Sequence, residues 1–169
     1  GRSVHPVGMR IGGFHRAPEP ERAAAVLAEL RDALPDAEAL VAFTAGLDLP
    51  DDEQDFTSVA LRHPEEYPMY GGRIVSDRGL DLAVPEYPEH FRESHVPHST
   101  ALYAHLDGQP YLVGPLARLN LNHDRLSAPA RAALAATGLR LPSRNMFHSV
   151  IARAVEIHEA VVEAIRLLE

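Results

Sequence analysis

The stretch Ser99–Asn122, STALYAHLDGQPYLVGPLARLNLN, holds the strongest local signals in the chain. Two alternating segments, STALYAHL and QPYLVGPL, meet at Asp107-Gly108. An Asp-Gly pair between such segments predicts a hairpin closed by a two-residue primed turn. Gly114-Pro115 ends the second strand, because proline cannot continue a ladder. Upstream, FTSVALR (Phe56 to Arg62) alternates apolar and polar residues as a half-buried strand does, and His63-Pro64 ends it. GGRIVSD and GLDLAV flank Ser76-Asp77-Arg78-Gly79 and predict another hairpin. Pro85 opens a short helical piece from Glu86 to Glu93.

Helices are predicted on both sides of this β-rich middle. From Pro20, the residues Ala23, Val26, Leu27, Leu30 and Leu34 form one apolar stripe. Pro35 is expected to stop that helix. A second runs from Asp36 to Ala45, with Gly46 in a left-handed closing position. Near the other end, Ser127 caps a helix carrying Ala130, Ala133 and Leu134, which Gly138 ends. The last helix extends from about Asn145 to Leu168. Apolar residues cover more than half its circumference, so it needs neighbours on two sides that the rest of the chain is not expected to supply in full.

The fold class is therefore α+β, with helices packed on two or more β-hairpins and a long C-terminal helix. The chain reads as a single domain or fragment: 1–47 a loop plus two helices, 48–122 a β-rich middle, and 123–169 a helical end. Its opening, GRSVHPVGMRIGGFHRAP, has no helical period and does not begin with Met, and is expected to be a cut rather than a natural start.

Composition narrows the chemistry. The chain has 169 residues and a net charge of −8, against a general nucleic-acid or anionic-membrane binder. No run of about 18 apolar residues suggests a membrane span, and no basic-then-apolar leader opens the chain. Cysteine is absent, and all 16 basic residues are arginine. Disulfides, zinc ribbons, Fe–S ligation and thiolate-bound nickel within this chain are excluded. So are a P-loop lysine and a Schiff-base lysine.

Three polar groupings invite a site. His90, Glu93, His95 and His98 lie within nine residues, and imidazole suits zinc, nickel and iron. Read on a helix, His90 and His95 fall on different faces, and Pro97 breaks any helix before His98; packing histidines are the preferred reading. His5 and His15 sit among glycines with Arg2, Arg10 and Arg16. They form an anion site only if they converge, and pairing with surplus acids is preferred. Asp48, Asp51, Asp52, Glu53 and Asp55 lack the glycine and terminal Glu of a calcium loop, and read as a solvated linker. Ser99-Thr100 has no nucleophile elbow around it. Arg118 is placed to act as a fork between two elements, and Asn120 and Asn122 to cap local backbone. No complete catalytic set emerges from the residues alone.

Four stretches resemble the large subunit of nickel–iron hydrogenases. These are Gly1-Arg2 with His5-Pro6 and then Gly12-Gly13, GGRIVSDRGLDLAV at 71–84, ESHVPHSTALYAHL at 93–106, and YLVGPLARLNLN at 111–122. They occur in family order and resemble the soluble, cofactor-linked branch. The matching positions are scaffold motifs: His5, Pro6, Gly12, Gly13, His95, His98, Gly114, Pro115, Arg118, Asn120 and Asn122. The family holds its Ni–Fe centre through two CxxC pairs, near the two ends of the subunit, and neither pair is present here. An EAPRG-like stretch that follows the long helix in the family is also absent.

The resemblance implies a non-catalytic central scaffold segment, in a cytoplasmic complex, of a subunit that splits H₂ into protons and electrons. No cofactor is expected in this chain, which is expected to be inactive alone. The implied partners are the remaining parts of the large subunit, an Fe–S small subunit and NAD(P)-reducing subunits. Neither nucleic acid nor membrane is implied, and an isolated segment is expected to self-associate through apolar surface. The alternatives are a stand-alone, cysteine-free assembly module and a metal-dependent enzyme built on His90, Glu93, His95 and His98.

Overall fold

A computed structural model describes residues 18–169 and the backbone of two short strands before them, β1 (Met9–Arg10) and β2 (Gly13–Phe14), which pair antiparallel. The expectations on His5, Pro6, Gly12, His15, Arg2 and Arg16 lie outside the described residues, as does the side chain of Arg10, and Gly13 is described only as backbone of β2.

Helix α1 runs unbroken from Pro20 to Ala45, straight through Pro35. This corrects the expected stop. Proline inside a helix forfeits one backbone bond and costs about 3 kcal/mol. Pro35 is on the solvent side, where water can take the freed carbonyl. On both sides of it α1 lies along α5 (Ser149–Leu168), in the most extensive helix contact of the molecule. Tertiary packing therefore overrides the local break. Gly46 closes α1 with φ −84°, right-handed rather than left-handed.

The main sheet has the order β5-β4-β3-β8. β3 (Thr57–Arg62) pairs antiparallel with β4 (Arg73–Ser76), and β4 with β5 (Asp81–Leu82) across the expected turn. A 3-10 turn at Val84–Glu86 and helix α2 (Tyr87–His90) follow. The chain then extends into β6 (Phe91–Ser94), where the sequence predicted helix to Glu93. Burial decides this: Phe91 is buried among Val59, Ile74 and Leu82, and Arg92, Glu93 and Ser94 remain exposed.

The Asp107-Gly108 turn forms, but its two arms do not make one hairpin. Leu106 and Gln109 exchange backbone bonds across the turn. β7 (Tyr103–Leu106) then pairs with β6, whereas β8 (Tyr111–Leu112) pairs parallel with β3, Thr57 opposite Tyr111 and Ser58 opposite Leu112. Pro110 has no N–H to extend the ladder. Beyond it Tyr111 packs edge-on against Phe91, ring centroids 5.2 Å apart, and Leu112 joins the main core.

The helical end matches its reading more closely. Helix α3 (Pro115–Asn122) starts where the strand was expected to stop. Helix α4 (Ala128–Ala136) is capped by Ser127, whose side chain accepts from the Ala130 N–H. The last helix starts at Ser149, after a 3-10 turn at Met146–His148 that Asn145 caps. Its neighbours α1, α3 and α4 come from this chain, while Ile157, Leu167 and Leu168 on it stay exposed. Leu116, Leu119, Leu126, Ala130, Ala152 and Val155 build the main core where they meet. The architecture is α+β, with small sheets against a helical cluster.

Candidate functional site

The most ordered polar arrangement is a lattice centred on α3. Gly114 precedes that helix with φ 95°, a conformation that favours glycine. Pro115 then fills the first turn, where its missing N–H costs nothing. From this start, successive turns of α3 send Arg118 toward α5, and Asn120 and Asn122 toward β3 and the loop before α5.

Arg118 donates from Nε to Glu156 Oε1 at 2.6 Å and from Nη2 to Oε2 at 2.7 Å. Tyr67, 5% exposed, donates its hydroxyl to the same Oε1 at 2.6 Å. The bond to Glu156 raises the Arg118 pKa further, and burial, followed by the Glu156 charge, pushes the Tyr67 phenol well above its ordinary value. Arg118 is thus a fork between α3 and α5, with a phenol closing its far side.

Asn120 and Asn122 reach further than local caps. Asn120 donates from Nδ2 to the Ser143 carbonyl at 2.9 Å and accepts the Ser143 N–H at 2.8 Å. Its side chain therefore does for the Ser143 backbone what a strand neighbour would. Asn122, fully buried, donates to the Leu61 carbonyl on β3 and to the Arg118 carbonyl, both at 3.0 Å. Beside it Arg62 forks onto Asp124 at 3.0 and 2.8 Å, and that bond holds the Asp124 carboxyl below its usual range. Asp77 accepts the Ser58 N–H at 2.9 Å and pairs with Arg144 at 3.2 Å. On α5, Glu159 accepts the N–H and hydroxyl of Ser127 at the start of α4, where a helix terminus favours a carboxylate.

The four residues weighed as metal ligands are distributed differently. His90 ends α2 and contacts the Asp107 carboxylate at 3.3 Å. Glu93 is on β6, and both it and His95 are exposed. His98 contacts the Tyr103 hydroxyl at 3.3 Å, ring edge to face. The strand at Phe91–Ser94 also removes the helical spacing on which His90 and His95 were compared. Among the described residues no three His, Asp or Glu side chains gather as a metal set. The acidic stretch Asp48–Asp55 is exposed apart from Leu49, with its backbone held by Glu53–Asn145 pairing and its end by Asp55–Arg78. Ser99 bonds to the Ala101 backbone in a local turn.

Sequence reasoning missed Tyr67, Glu156, Glu159, Ser143 and His158. The two glutamates carried a readable signal: each is four residues from a core position of α5, Ala152 or Val155, so each falls on the buried stripe. His158 is fully buried, with Nε2 3.6 Å from Glu38 Oε1 and no hydrogen bond at either nitrogen among the described residues. Chemically the lattice is a fastening. Its carboxylates are committed to arginine, tyrosine, serine or backbone donors. Ser143, whose hydroxyl is 2.7 Å from His148 Nδ1, is buried and accepts the Asn145 N–H.

No family model matches the chain. The alpha subunit of sulfhydrogenase 1 from Pyrococcus furiosus is 32% identical to it over 170 residues, an alignment spanning 99% of this chain and 40% of that subunit. The chain resembles a segment of a hydrogenase large subunit, and spans about 40% of the length of the curated relative it matches. No helix among the described residues is long and apolar enough to cross a membrane.

Proposed function

We propose that residues 1–169 act as one unit, the non-catalytic central scaffold segment of a nickel-dependent hydrogenase large subunit in the cytoplasm. The parent reaction converts H₂ to two protons and two electrons, which pass to an Fe–S small subunit and on to NAD(P)-reducing subunits. The observation that carries this reading is the 32% identity sustained along 99% of the chain. The α3 lattice supports it from the physical side: its side chains hold elements together, as a scaffold requires.

The residues present do not fit a Ni–Fe centre. Such a centre takes soft thiolate ligands, and the chain contains no cysteine. Any metal chemistry of the parent therefore belongs to other parts of the subunit, and no step is assigned to side chains here. The residues that match the family's motifs, His95, His98, Gly114, Pro115, Arg118, Asn120 and Asn122, are read as scaffold positions, with His5, Pro6, Gly12 and Gly13 in the same role.

The coding sequence on either side tests this reading. In-frame CxxC pairs upstream and downstream, the second after an EAPRG-like stretch, are expected. A start codon directly before Gly1 with a stop directly after Glu169 would overturn it in favour of the stand-alone assembly module.

A further inference from the structure

We propose that the Asp107-Gly108 turn is a site of spontaneous covalent modification, where Asp107 closes to a succinimide and reopens as isoaspartate. The inference goes beyond the scaffold reading and does not rest on it.

Asp107 is the only aspartate followed by glycine, and no asparagine is. Glycine carries no side chain to shield its amide nitrogen from the preceding carboxyl carbon. The turn's two backbone bonds run between Leu106 and Gln109, both 2.9 Å, and bypass the central peptide. Among the described residues the Gly108 N–H has no acceptor. Positive φ at both turn residues, 47° and 79°, places that peptide outside any ladder. The Asp107 side chain is 64% exposed, so water reaches it, and His90 Nδ1 is 3.3 Å from its carboxylate.

Those groups suffice for the reaction. The Gly108 nitrogen bonds to Asp107 Cγ as it loses its proton. One carboxylate oxygen departs as water, carrying that proton and a second from solvent, which the His90 ring nitrogen 3.3 Å away is placed to relay. Water then adds at the Asp107 main-chain carbonyl and the bond from that carbon to nitrogen breaks, releasing one proton. The chain now continues through Cγ. Composition is unchanged, no oxidant or reductant enters, and the backbone gains one methylene. That carbon falls where the Asp107 N–H donates to the His90 carbonyl at 2.9 Å, the bond that ties the end of the β6–β7 ribbon to α2.

The test is to hold the folded chain for weeks at mildly acidic pH and locate isoaspartate by electron-transfer fragmentation, with enzymatic methylation of the new carboxyl as a second readout. Isoaspartate is expected at Asp107 ahead of every other aspartate. Asp107→Glu, which would need a six-membered ring, is expected to abolish it. His90→Gln is expected to slow it at least ~3-fold, well short of what an aligned general acid gives. Both positions are at least partly exposed, and circular dichroism checks that the variants fold. No excess at Asp107, or equal rates with and without His90, would overturn the proposal.

Discussion

Arg118 on α3 and Glu156 on α5 face each other as a bidentate pair, 2.6 and 2.7 Å, with the Tyr67 hydroxyl completing the carboxylate's shell. Replacing Glu156 with Gln removes the charge but leaves Arg118 and Tyr67 in place. Breaking a buried ion pair costs ~3–5 kcal/mol, and exposed pairs contribute ~0–1 kcal/mol. Arg118 is 37% exposed and Glu156 13%, so a loss of roughly 2 kcal/mol is expected. The urea midpoint measures it. The double variant Arg118→Met, Glu156→Leu should lose less than the sum of its two single variants, because no unpaired charge remains.

Tyr67 makes stability pH-dependent in the alkaline range. Its ordinary value, 10.0, applies to the unfolded chain, and the folded value is higher. Above pH 10.0 the unfolded chain gives up this proton while the native state keeps it. Stability from this group is thus complete below that pH and falls as pH rises past it. With no lysine in the chain, tyrosines are the side chains that titrate here, and burial raises Tyr111 in the same direction. Urea unfolding from about pH 8 to about pH 11 should show this decline. Tyr67→Phe should have a shallower decline, from a lower neutral-pH starting stability. Parallel profiles would remove Tyr67 from the effect.

Asn120 stands in for a missing strand neighbour of Ser143. Asn120→Ala would strand a buried N–H and C=O together, for which about 2–3 kcal/mol is expected. Amide hydrogen exchange gives a local readout. The Ser143 N–H, protected by Asn120 Oδ1, should exchange much faster in the variant. Unchanged Ser143 protection would show that the clamp is not what holds the loop.

These contacts show where sequence reading reaches its limit. Ser127, the Ser76–Gly79 turn and the Asp107-Gly108 turn were legible because each is fixed by atoms a few residues apart. The partner of β8 was not, because choosing β3 over β7 depends on Pro110 and on the burial of Tyr111 and Leu112. Pro35 misled for the same reason, since α5 supplies what the local chain lacks. Arg118 could be read as a fork from the chemistry of its guanidinium. Nothing near it in sequence named Glu156 or Tyr67 as its partners, although a glutamate on the apolar stripe of α5 marked one end of the pair.

The most direct measurement for the scaffold proposal is the nickel-to-protein ratio by plasma mass spectrometry. It is taken on the purified 169-residue chain and on a longer polypeptide in which the proposed flanking CxxC segments extend it, both produced in a nickel-replete host. The expected result is nickel in the longer polypeptide and none above background in the chain, whose residues include no thiolate. One tightly held nickel per 169-residue chain would contradict the proposal.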